Sequence, residues 1–217
     1  MSVLTDKLGK WFDYFDKDEF VYILKKLYSL YNDSNKSIMP NSHDVFKAFE
    51  VCDFDNAKVI MLGMDPYPQK GVSTGIAFGN KAGTLKTNYS PSLSKLLEPY
   101  EIDDTFDCTL ESWCKQGVLL LNSALTCEQD KPNSHTDLWR YFISTFLTNY
   151  STYNKDVIYV LFGQKAQSFK HYIKNSHSIT LCNHPSYLAR VNKPMPNIYQ
   201  SINSYLLDMN KDIIRWI

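Results

Sequence analysis

The sequence predicts an α/β fold, a three-layer αβα sandwich around a central, mostly parallel four-stranded sheet. Three observations predict it. Four apolar runs of strand length alternate with stretches of helical periodicity. The runs are continuous rather than alternating, as strands covered on both faces are. Each one also stops at small or polar residues: Gly63-Met64-Asp65, Asn122-Ser123, Gly163-Gln164 and Asn183-His184.

Taken in order, Asp16 to Glu19 precede Phe20, Tyr22, Ile23, Leu27, Leu30 and Tyr31, apolar residues at helical spacing behind an acidic first turn. This predicts an outer helix whose aromatic stripe faces the core. A polar turn follows at residues 32–37, and residues 40–42 open a second short helix through Phe46 and Phe49. The first strand begins near Ala57 and ends at Gly63, after which Asp65 is held between Gly63 and Pro66. Pro66 and Pro68 stiffen this turn and aim Tyr67. Ser90, as a cap, and Pro91, in the first turn, start a helix that reaches about Leu97. The second strand is Val118-Leu119-Leu120-Leu121. The third, residues 157–162, runs into a helix with Ala166, Phe169, Tyr172 and Ile173 on one face. The fourth, residues 178–181, ends at Asn183-His184-Pro185-Ser186.

A chain of 217 residues, 44% of them hydrophobic, is expected to form a single domain over residues 1–217, with residues 1–40 its least specific region. Because 23 basic residues balance 23 acidic ones, nucleic-acid binding would need a local patch. The five cysteines form no C-x-x-C pair and have no histidine at zinc spacing. Reduced thiols in an intracellular compartment, cytoplasm or nucleus, are therefore expected, with no metal. Residues 1–10 lack the cationic and apolar pattern of a secretion signal, and no run is long enough for a membrane span.

In a parallel α/β sheet, ligands bind outside the carboxyl ends of the strands, where Asp65, Asn122, Gln164 and His184 fall. Each has an ordinary alternative: an aspartate after glycine forms turns, an asparagine caps helices, and His-Pro makes loops. Together they offer a carboxylate, a carboxamide and an imidazole over one crevice.

Gly63-Met64-Asp65-Pro66-Tyr67 with Gly75-Ile76-Ala77-Phe78, then Leu119 to Thr126, then His184-Pro185-Ser186-Tyr187-Leu188 resemble, in this order, the uracil-DNA glycosylase family in its main, Asp-Pro-Tyr branch. Ser134-His135, Phe162 to Gln167, Asn203 to Leu206 and Ile214-Arg215-Trp216 extend the resemblance over roughly residues 40–217.

The resemblance implies hydrolysis of the N-glycosidic bond of deoxyuridine in DNA, by base flipping, to leave an abasic site. The reaction makes an oxocarbenium-like sugar and a uracil anion, so both charges need stabilisation. By similarity, Asp65 faces the sugar and orients water, while His184 donates to the uracil oxygen that gathers charge. Asn122 matches the O4 and N3–H edge of uracil, Tyr67 presses on C5 and Phe78 stacks on the ring. Met64 offers its backbone N–H to base or water.

Leu188 corresponds to the wedge that fills the space left by the base. Ser90, Pro91, Ser92, Gln164, Ser186 and Arg190 are expected at the DNA backbone. His135 resembles a family position but reads as a structural histidine.

Four positions depart from the family pattern: Met64 for glutamine, Pro68 for histidine, Tyr187 for proline and Ala189 for serine. They bear on efficiency and DNA engagement more than on the reaction. No lysine aligns as an attacking amine, so the expected enzyme is monofunctional, works without cofactor, and acts as a monomer on uracil-containing DNA. A replication or repair protein is a possible further partner. The alternative is a DNA-binding accessory protein on the same fold, which would show an exposed apolar patch among residues 11–31. A broader damaged-base scope would need a roomier pocket than Tyr67 and Phe78 leave.

Overall fold

A computed structural model describes residues 2–217. Helix α1 (Ser2–Leu8) leads into a 3-10 turn at Gly9–Tyr14 that buries Trp11. The expected outer helix is α2 (Lys17–Tyr31), started by the Asp16 carboxylate, which accepts the Glu19 N–H at 2.9 Å. Its residues Phe20, Ile23 and Leu27 are buried, whereas Tyr22 is exposed.

Strand β1 (Ile38–Met39) follows. The second helix expected from the sequence is divided into a 3-10 turn at Ser42–Asp44 and α3 (Lys47–Val51). Phe46, at φ −106° and ψ 11°, separates them. That break lets its ring pack against Phe20, Trp139 and Phe142.

The chain then forms β2 (Val59–Gly63), α4 (Pro91–Leu96), α5 (Glu111–Cys114), β3 (Val118–Asn122), β4 (Cys127–Glu128) and α6 (Thr136–Tyr153). It closes with β5 (Ile158–Phe162), α7 (Gly163–Gln167), β6 (Ser178–Cys182), α8 (Pro185–Arg190) and α9 (Ile198–Asp208). The helix expected after β5 is shorter than its apolar face suggests. It ends at Gln167, and a 3-10 turn at Lys170–Tyr172 carries the chain onward.

The four-stranded sheet has the order β3-β2-β5-β6, with every pair parallel. Helices pack against it, and the side chains of β2, β3 and β5 are all buried. Strand β6 is an edge strand paired only with β5, and most of its side chains are partly or fully exposed. A separate ribbon pairs β1 with β4 antiparallel.

Aromatic rings join the N-terminal elements to α6: the Trp11 ring lies 5.6 Å from Phe49, 6.0 Å from Phe146 and 5.3 Å from Tyr150. The C-terminal tail is fastened by side-chain amides. Asn203 accepts from the Ile214 N–H and donates to its carbonyl, and Gln116 does the same for Arg215. All five cysteines are buried and free. No helix among the described residues is long and apolar enough to cross a membrane.

Candidate active site

The strand order reverses between β2 and β5, because β3 lies on one side of β2 and the chain returns on the other. Crossovers that leave in opposite directions open a crevice at the carboxyl ends of these two strands. One pocket occupies it, lined by Asp65, Tyr67, Phe78, Ser92, Asn122 and His184, together with Pro66, Ser73, Gly75, Ile76 and Leu125. Residues from the ends of β2, β3 and β6 thus meet although they are far apart in sequence.

The turn after β2 is clamped by the segment following β3. The Met64 carbonyl accepts from the Ala124 N–H at 3.0 Å and the Ser123 hydroxyl at 2.8 Å. The Pro68 carbonyl accepts the Asp130 N–H at 3.1 Å. Asp65 Oδ2 accepts the Asn133 N–H at 2.6 Å, a short charge-assisted bond that fixes the carboxylate. Asn133 reaches this position with φ 66°. Burial pushes the Asp65 carboxyl above its ordinary pKa, opposed by the Asn133 N–H and by the nearby Lys165 ammonium.

Tyr67 is fastened as tightly. Its hydroxyl donates to the Phe78 carbonyl at 2.9 Å, and burial pushes its pKa up, so the ring stays neutral. Phe78 itself sits at φ 67°, a left-handed conformation that a phenylalanine adopts only where its surroundings impose it. The Ala77 N–H bonded to the Leu120 carbonyl at 3.1 Å and the Gly79 N–H to that of Ile76 at 3.2 Å hold the flanking backbone. The Phe78 ring meets Phe162 edge-on at 5.1 Å and lies 5.8 Å from the His184 ring.

Two glycines make the room. A Cβ on Gly63 would lie 2.6 Å from Asn122 Oδ1 and 3.0 Å from Phe78 Cζ, and one on Gly163 would lie 2.9 Å from His184 Cβ.

The tautomer of His184 follows from its neighbours. The backbone N–H of Ser186 can only donate, and it points at His184 Nδ1 at 3.2 Å, with the Ser186 hydroxyl at 2.8 Å. Nδ1 is therefore an acceptor and the proton resides on Nε2. Burial lowers the imidazole pKa to about 4, so the ring is neutral at pH 7.

Of the expected DNA-contact residues, Ser90, Pro91, Ser92 and Ser186 share one open groove with Met64, Asp65, Tyr67 and His184. Ser90 precedes α4, but its side chain makes no capping bond. Instead the buried Asn80 amide grips it: Asn80 Oδ1 accepts the Ser90 N–H at 2.9 Å and Nδ2 donates to Ser90 Oγ at 3.2 Å. Pro91 is exposed and Ser92 is buried at the pocket wall. Gln164 lies in a second groove with Lys165, Asn183 and Tyr187, and Met64 borders both grooves. Ser186 and Arg190 are exposed.

Leu188, the expected wedge, is 2% exposed and packs within the core beneath α8, the helix that this segment forms. His135, as expected, is structural: buried, with Nδ1 2.9 Å from Thr126 Oγ1, which also accepts from Trp139 Nε1 at 2.8 Å. The sequence reading missed Asn133, Asn80, Ser73 and Lys165. For Asn133, the Pro-Asn-Ser turn was the available signal.

The sequence model of the Uracil DNA glycosylase superfamily matches residues 49–207. The uracil-DNA glycosylase of Mycoplasmopsis pulmonis is 32% identical over 217 residues, covering 97% of this chain and 98% of that protein. That of Blochmanniella floridana is 32% identical over 204 residues, covering 88% and 90%. Among solved structures, mimivirus uracil-DNA glycosylase superposes with a TM-score of 0.75 at 20% identity, covering 99% of this chain and 92% of that one. With the motifs in order, the pocket at the switch point and relatives matched nearly end to end, this chain belongs to the uracil-DNA glycosylase superfamily.

Proposed function

We propose that the protein is a uracil-DNA glycosylase of the Asp-Pro-Tyr branch, which flips deoxyuridine out of DNA and hydrolyses its N-glycosidic bond. The observation that carries this reading is a neutral imidazole with its proton on Nε2, in one pocket with a fixed carboxylate and a carboxamide. As the bond lengthens, positive charge grows on the sugar and negative charge on uracil. Asp65 stabilises the first and orients water, and His184 Nε2–H donates to the second. A neutral donor meets a developing anion without a proton transfer that would have to be reversed. Asn122 reads the O4 and N3–H edge, Tyr67 closes the space at C5 against thymine, and Phe78 stacks on the base.

Extrusion costs a few kcal/mol of stacking and pairing, to be recovered from backbone contacts. Ser90 to Ser92, Ser186, Gln164 and Arg190 supply these, with the Asn80 clamp presenting the first of them. The protein acts inside the cell as a single-domain monomer, without metal or organic cofactor. The accessory-protein alternative requires an apolar patch among residues 11–31, where Trp11, Phe15, Phe20 and Ile23 are buried in the core but Tyr22 and Tyr28 are exposed; the carboxylate, carboxamide and imidazole gathered in one pocket favour the enzyme.

The test is release of free uracil from single-stranded and duplex oligonucleotides carrying one deoxyuridine, with thymine and cytosine controls. Wild type releases uracil alone, and Asp65→Asn and His184→Ala each lose it severely. Binding without release across salt and pH would overturn the reading.

A further inference from the structure

Asn80 is 1% exposed, and a carboxamide is costly to bury unless its polar atoms are met. It stands two residues beyond Phe78, where its backbone N–H donates to the Cys108 carbonyl at 2.8 Å and fixes the point from which its side chain starts. That side chain grips Ser90 twice. Oδ1 accepts the Ser90 N–H at 2.9 Å, and Nδ2 donates to Ser90 Oγ at 3.2 Å.

The direction of this pair follows from one group. A carboxamide can be turned end for end, but the Ser90 N–H can only donate, so the atom facing it is Oδ1. The other end of the amide, which can only donate, therefore faces Ser90 Oγ. The Ser90 N–H is thus occupied, its hydroxyl oxygen already accepts one bond, and its hydroxyl proton is left for an acceptor other than Asn80.

Ser90 is half-buried and borders the open groove that also holds Asp65, Tyr67, His184 and Ser186. Within the fold, the acceptor beside it is the Tyr67 hydroxyl, whose pKa is raised by burial and held back by the Ser90 and Ser92 hydroxyls. Tyr67 passes its own proton to the Phe78 carbonyl at 2.9 Å. Ser92 can serve the Tyr67 oxygen when Ser90 turns to a stronger acceptor, and an anionic phosphate oxygen is one.

We propose that Asn80 is a positioning residue for DNA: by holding Ser90 as a hydroxyl donor, it directs that proton to a backbone phosphate beside the extruded deoxyuridine. This rests on the glycosylase reading above. An apolar side chain at position 80 would free the Ser90 hydroxyl to turn its lone pairs toward the phosphate. A carboxylate would accept from both Ser90 groups and draw the proton inward.

The experiment compares two ligands, a duplex carrying one non-cleavable 2′-fluoro-deoxyuridine and free uracil, which has no phosphate. Asn80→Ala should weaken duplex binding about ten- to hundredfold, the range of a hydrogen bond to a charged group, and leave the inhibition constant of uracil in place. Ser90→Ala should lose as much, and adding Asn80→Ala to it should cost little more. Asn80→Asp, which keeps the shape and reverses the polarity, should lose at least as much as Asn80→Ala at pH 8. Its loss should persist at high salt, which separates it from repulsion by the new carboxylate.

An unchanged duplex Kd in folded Asn80→Ala, or in Asn80→Asp at pH 8, would overturn the proposal. So would a full additional loss when Asn80→Ala is placed on Ser90→Ala, or uracil inhibition that weakens in step with duplex binding, since either marks a merely structural asparagine. Failure of wild type to release uracil from any deoxyuridine oligonucleotide would instead remove the glycosylase reading itself.

Discussion

Asp65 and His184 answer pH in opposite ways. Burial raises the Asp65 pKa above that of an unfolded aspartate, so its ionised form costs native stability at neutral pH, and the cost disappears as pH falls through that pKa. Asp65→Asn should therefore lose about 10²–10⁴-fold in uracil release while its melting temperature at neutral pH rises. Calorimetry beside the activity assay checks both. His184, held near pKa 4, stays neutral when its unfolded counterpart would protonate. Its contribution is complete above about pH 6.5 and is lost as pH falls through about 4. Urea midpoints at pH 7 and pH 5 should thus differ more for wild type than for His184→Gln. Protonation of Asp65, as pH falls through its raised pKa, should give the rate profile an acid limb. Removing the Lys165 ammonium in Lys165→Ala should move that limb to higher pH, an effect that shrinks with added salt.

At the scale of elements, the pocket depends on two backbone approaches and one clamp. Gly63→Ala would drive a methyl into Asn122 Oδ1 and the Phe78 ring. Uracil release should fall by orders of magnitude while circular dichroism stays native, a combination that separates a spoiled pocket from a spoiled fold. The strands were legible because parallel strands buried on both faces need continuous apolar runs, and the reactive groups were legible because such strands present ligands at one end. The clamp was not. It relies on two-residue strands, β1 and β4, too short to show a period, and on an Asn133 backbone N–H that any residue type carries. The orientation of α8 escaped for a related reason: a motif fixes the order of Ser186, Tyr187 and Leu188, but whether the segment coils, and which face it buries, is decided by packing against α4. Likewise the expected helix is broken at Phe46, whose ring is buried, a tertiary demand that outweighs local propensity.

Across the whole molecule, stability is concentrated in the aromatic cluster that ties the first residues to α6. Trp11 is 1% exposed and donates from Nε1 to the Cys52 carbonyl at 2.7 Å. Trp11→Ala should cost about 3–5 kcal/mol, a large part of the 5–15 typical of a folded domain. The melting temperature should then drop by about 10 °C, although the site lies elsewhere. The region least recognisable in sequence is therefore a structural keystone, because aromatic packing tolerates many sequences provided that volume is kept. The edge position of β6 carries a different implication. The strand that delivers His184 has one neighbour and partly wetted side chains, so it belongs to the part of the sheet that opens most readily. Warmed gradually, a population of these molecules would fall silent as catalysts while most of their amide protons were still protected from exchange.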